Sequence, residues 1–141
     1  MNSGDSFHFI ESLKLIVVSH HSNVEQQNVE SILNEFDTNP YFSSADKVLI
    51  DMRKAEIKVD SEVIKKTSTL VYNKLSGKGI QNLAILIDTP QINKVVEYVK
   101  AYQQSSKYQV FANLEGALHW LKIPADRKEQ IEVKLNYLEK H

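Results

Sequence analysis

The sequence predicts an α/β domain: a mixed, mostly parallel sheet of four to five strands with crossover helices, plus an extra C-terminal helix. Three observations carry that expectation. The runs KVLIDM and LAILID are short and continuously apolar, as strands buried on both faces of a parallel sheet are. Segments with apolar residues at helical spacing stand between the strand-like runs. The resulting alternation of strand and helix is the pattern of parallel neighbours joined by crossovers.

Residues 1–6 are polar and read as a flexible tail. The stretch from Phe7 to Ser19 holds two β-type runs separated by Glu11 and Ser12, which reads as a hairpin or as one bent strand. Asn23 precedes a first helix from about Val24 to Phe36, in which Val29, Ile32, Leu33 and Phe36 recur at helical spacing. The turn-rich DTNPYFSSAD ends it, and KVLIDM follows as a buried strand with Asp51 at its carboxyl end. A second helix is expected from Asp60 or Ser61 to Leu75, closed by Gly77, and LAILID is the next strand. Thr89 and Pro90 open a third helix to about Gln103, since proline at the first helical position lacks only an amide that has no partner there. YQVF is the last strand, Asn113 caps a short helix with Leu114, Ala117, Leu118 and Leu121 inward, and Pro124 opens a final one that turns Ile131, Leu135 and Leu138 to one side. The expected division is a domain over 7–123 and a C-terminal helix over 124–141, packed either on that domain or on the partner of a homodimer.

Bulk properties narrow the function classes. The chain of 141 residues is 42% hydrophobic and 25% charged, enough for one core without metals or crosslinks. A formal net charge of −1 provides no field for nucleic acid or an anionic membrane. Cysteine is absent, which removes disulfides, thiolate metal sites and a cysteine nucleophile. No leader pattern and no run approaching roughly 20 apolar residues is present, so the chain reads as cytoplasmic, with no membrane insertion.

The residues KVLIDMRKAEIKVDSEVIKK, with LAILID and the closing VFANLEGALHWL, resemble small bacterial STAS-like domains. That broad group takes in the anti-sigma factor antagonists and the CRAL-TRIO lipid-transfer fold, and the resemblance covers about Leu13 to Leu121. It implies a regulatory or binding module that performs no catalysis. In the antagonists the strand leads into an Asp-Ser-Ser-Gly type turn whose serine is phosphorylated by a partner kinase. Asp60 and Ser61 stand near the matching place, which makes Ser61 the candidate phosphosite, although Glu62 and Val63 follow where the pattern has a small residue and glycine.

In open parallel sheets, ligands bind outside the carboxyl ends of the strands. That rim gathers Asp51, Arg53, Asp60, Ser61, Asp88 and Thr89, with Ser19 and His20 beside them, and it is the candidate binding surface. Each residue also has a local reading: Asp51 pairs with Arg53 or accepts loop amides, and Asp60, Ser61, Asp88 and Thr89 cap helices. A phosphate on Ser61 would add close to two negative charges at a helix start, where the dipole favours them. Asp51 and Asp88 invite comparison with a receiver domain's acidic pocket, but the first parallel strand ends in Ser19, His20 and His21, and no lysine follows the last strand.

No metal site is expected, because His20 and His21 are adjacent on an extended segment and point to opposite sides. SGKG at 76–79 lies after a helix and before a strand, the reverse of a phosphate loop, and no serine nucleophile motif occurs, so no catalytic residue and no cofactor is assigned. The leading expectation is a STAS-like module that binds an unknown protein partner or small ligand. The alternative is a small carrier of a lipid or other apolar ligand, with Tyr98, Tyr102, Tyr108, Phe111, Trp120 and Tyr137 facing a cavity.

Overall fold

The runs LIVVS, KVLI and LAILI carry apolar side chains at consecutive positions, so both sides of each strand must be covered if the sheet is to be dry. A computed structural model describes residues 5–20, 34, 38, 43–54, 62, 69, 73, 79–88 and 107–140. β1 (Asp5–Ile10), β2 (Leu15–His20), β3 (Lys47–Asp51), β4 (Asn82–Leu86) and β5 (Tyr108–Phe111) form one sheet in the order β1-β2-β3-β4-β5. β1 is antiparallel to β2, and each later strand is parallel to its predecessor, which is the mixed, mostly parallel sheet expected. Leu15, Ile16, Val17 and Val18 are successive residues with 0% exposure, so both faces of β2 are covered.

Of the two readings of Phe7 to Ser19, the hairpin is the one that forms. Its turn is a 3-10 turn over Glu11–Leu13 closed by Lys14 at φ 52, whose amide donates to the Glu11 carbonyl at 3.1 Å. β1 starts at Asp5, inside the stretch read as a tail, because pairing continues to Asp5 opposite His20.

The expected helices over 24–36, 60–75 and 90–103 lie mostly or wholly outside the described residues. Within the first two, Asn34, Glu62, Thr69 and Asn73 are helical. Thr38 is helical as well, past the expected end at Phe36, and its hydroxyl donates to the Asn34 carbonyl at 3.1 Å, a bond that accommodates threonine within a helix.

Register fixes which side chains share a face. Leu15, Val17 and Ser19 lie level with Lys47, Leu49 and Asp51, then with Asn82, Ala84 and Leu86. Two helices cover this face: α1 (Leu114–Trp120) over β4 and β5, and α2 (Lys128–Lys140) over β2 and β1. Leu114, Ala117, Leu118 and Leu121 face the sheet beside Ile131, Leu135 and Leu138, all inside one core with Leu15, Val17, Leu49 and Leu86. The C-terminal helix thus buries its apolar stripe in its own chain. Lys128 Nζ reaches Glu115 Oε1 at 3.1 Å between the two helices.

The ends of α1 follow from its flanks. Asn113 Oδ1 accepts from the Gly116 amide at 2.7 Å, satisfying a first-turn donor. At the other end the Ile123 amide donates to Leu118 at 2.9 Å and the Lys122 amide to His119 at 3.0 Å, with Lys122 left-handed at φ 61. This is a Schellman closure, with lysine where glycine is usual and with Leu118 and Ile123 both buried.

Candidate functional site: the carboxyl rim of β2 to β4

The parallel strands end together, so Ser19, Asp51, Leu86 and Phe111 stand level on the face covered by α1 and α2. Two residues past β3 the chain turns back, which brings the Arg53 side chain onto Asp51. Arg53 Nε donates to Asp51 Oδ1 at 3.0 Å, Nη2 donates to Oδ2 at 2.9 Å, and the Arg53 amide donates to Oδ1 at 3.1 Å. This is a forked guanidinium-carboxylate pair with an amide added, the geometry for which arginine is suited and lysine is not. The side chains are unequally covered, 12% exposed for Asp51 and 35% for Arg53, so the carboxylate is the inner member and the guanidinium the outer one.

Further charge surrounds the pair. Hydrogen bonding to Asp51 raises the Arg53 pKa above its ordinary value, the fields of Asp51, Asp88 and Glu132 add to this, and partial burial opposes it. Asp88, two residues beyond β4, is exposed, and Glu132 comes from the exposed side of α2. Three carboxylates, those of Asp51, Asp88 and Glu132, therefore act on one guanidinium. Ser19 lies next to Asp51 across the β2–β3 pair and is 4% exposed, the buried polar residue of the described core. Phe111 and Trp120 meet with ring centroids 5.7 Å apart at the β5 end of the rim.

Of the residues expected at the rim, Asp51 and Arg53 are bonded to one another and Asp88 is near enough to act electrostatically on Arg53. Asp60, Ser61 and Thr89 lie outside the described residues. His20 ends β2. Sequence reasoning did not bring Glu132 here; its one signal is its place on the flank of α2 next to the buried stripe. Among the described residues, no group of three or more His, Cys, Asp or Glu is placed to hold a metal ion, and no helix is long and apolar enough to cross a membrane. The rim is suited to ion pairing and hydrogen bonding.

A hairpin followed by strands added in sequence order, with two terminal helices packed across one face, defines a STAS-like fold. The solved structure titled "Structure of the Anti-Sigma Factor Antagonist SpoIIAA in its Unphosphorylated Form" is similar to this chain with a TM-score of 0.54 at 13% identity, covering 84% of this chain and 97% of SpoIIAA. At that identity the likeness establishes the fold, which is the one the sequence resemblance implied. No family model matches the sequence. No curated protein matches it either.

Proposed function

We propose that this chain is a non-catalytic regulatory module that binds a partner protein through the carboxyl rim of its sheet. The observation that carries the reading is the fixed Asp51–Arg53 pair with Asp88 and Glu132 around it. Both Asp51 oxygens are engaged by Arg53, so Asp51 acts as the anchor. Arg53, Asp88 and Glu132 are then the groups offered to a partner, and a held guanidinium loses little freedom on binding. Likeness to an anti-sigma factor antagonist supports a protein-binding role of this kind. A partner that contacts Asp88 and Glu132 would present basic side chains there, and the association rate would fall with added salt.

Ser61, near the place in the sequence of the antagonists' phosphorylated serine, is the residue at which we propose regulation, by the charge that phosphorylation adds. The carrier reading draws no support from the α1–α2 side of the sheet, where Leu49, Leu86, Leu121 and Ile131 are within the packed core.

A photo-crosslinking amino acid placed at position 88 tests the proposal directly. On irradiation in the native host it should trap one dominant protein, and the same residue at position 109, on β5, should trap little. Equal capture of that protein from both positions, or capture of lipid alone from position 88, would defeat the reading.

A further inference from the structure

The β1–β2 hairpin turns at the end of the sheet opposite the carboxyl rim, and the link between α1 and α2 returns to it there. Arg127, which ends the 3-10 turn Ala125–Arg127, makes the contact. Its Nη2 donates to Ser12 Oγ at 2.9 Å and its Nε donates to Gln130 Oε1 at 2.7 Å. Ser12 and Gln130 are exposed, and Arg127 is half-buried.

Both bonds consume acceptors and leave donors. A hydroxyl or amide oxygen that accepts from Arg127 leaves the Ser12 O–H and the Gln130 Nε2 hydrogens to donate elsewhere. The guanidinium is itself only half used: Nε and one Nη2 hydrogen are engaged along its edge, and Nη1 with the second Nη2 hydrogen remains at its end. Among the described residues no carboxylate pairs with Arg127, and the side chains of Ser12, Arg127 and Gln130 make no further hydrogen bond. Arg53 is the contrast, since it turns the same edge to the Asp51 carboxylate. What the three side chains present is a set of donors around a positive charge that has no ion-pair partner.

We propose that Arg127, Ser12 and Gln130 form a binding site for a phosphate group. A planar carboxylate fills the end of a guanidinium with both of its oxygens. A phosphate does the same and still has a third oxygen for the Ser12 hydroxyl, whose oxygen lies 2.9 Å from Nη2. Glu11, Asp126 and Glu129 stand beside these residues in the sequence and oppose attraction at a distance, so the site selects by contact geometry. It lies at the other end of the strands from Asp51 and Arg53 and does not rest on the function proposed for them.

Inorganic phosphate titrated into the full chain at constant ionic strength and neutral pH, followed through its amide NMR signals, tests this. The proposal expects saturable shifts at Ser12, Arg127 and the Gln130 side chain, with a dissociation constant on the order of 1 mM, while the Arg53 amide signal stays in place. Acetate should bind about tenfold more weakly, because it leaves the Ser12 hydroxyl without an oxygen. Arg127→Lys should weaken phosphate by about tenfold, since an ammonium makes no fork, and Ser12→Ala by a similar factor. Circular dichroism should be unchanged in Ser12→Ala, whose position is exposed, so that loss reports the site and not the fold. Tighter binding of blocked phosphoserine than of inorganic phosphate would identify the source as a phosphorylated side chain, and the reverse order a free phosphate; both uphold the site. Absence of saturation by about 50 mM, far weaker than a guanidinium fork with a neighbouring donor provides, would overturn the proposal. So would acetate that matches phosphate, or binding indifferent to Arg127→Lys.

Discussion

The Arg53 guanidinium is positioned by one inward carboxylate, and that pairing shapes the rim. Arg53→Ala removes two forked hydrogen bonds and leaves the Asp51 carboxylate with one backbone amide. The loss should be about 1 kcal/mol in denaturant unfolding, toward the upper end for pairs that are not fully exposed. Arg53→Lys should recover little of it, because an ammonium makes no fork.

His8 provides a separate test at this scale. Its register with Val17 sets it on the α2 side of β1, where burial first and the Lys134 charge second lower its pKa from the ordinary 6.5. The folded chain therefore takes up a proton less readily than the unfolded one. The stability due to neutral His8 is complete above pH 6.5 and falls as the pH drops through that value toward the lowered folded one. Unfolding curves at pH 7.5 and pH 5.5 should differ in this direction for the wild type and differ less in His8→Gln.

At the scale of elements, α1 shows what local sequence does and does not reveal. Asn113 is legible as a cap because a short polar side chain precedes an apolar helical stripe; Asn113→Ala should cost about 1 kcal/mol. The far end is not legible, since Lys122 occupies the left-handed position at which glycine or asparagine would have announced a helix stop. Lys122→Gly should raise stability by about 1 kcal/mol, through relief of the left-handed strain on a residue with a Cβ. The same reasoning explains why Phe7 to Ser19 left two readings open: the hairpin turns at Lys14, another left-handed lysine where a glycine or asparagine would have marked the turn. The final helix was readable as amphipathic, but not in its choice of neighbour. The core supplies that, with Leu135 2% exposed beside Leu15 and Val17. Leu135→Ala should cost about 3 kcal/mol, the usual loss when a buried leucine leaves a cavity.

At the scale of the molecule, most of the sheet was legible because its strands are continuous apolar runs of the right length, bounded by polar or turn residues. Strand order was not, since periodicity says nothing of neighbours; pairing in sequence order is what brings Ser19, Asp51 and Leu86 level. The Asp51–Arg53 pair could be read because the two are close in sequence. Glu132 could not, because only the return of α2 across β2 brings it to the rim. Likeness to SpoIIAA establishes the fold alone, and a fold does not by itself name a partner.

Native mass spectrometry of the chain purified from its own host, as wild type and as Asp88→Lys, tests the central claim most directly. The account predicts a complex with another protein that is present in the wild type and depleted in Asp88→Lys. A complex that persists undiminished when that charge is reversed, or a noncovalent apolar adduct with no protein partner, would contradict it.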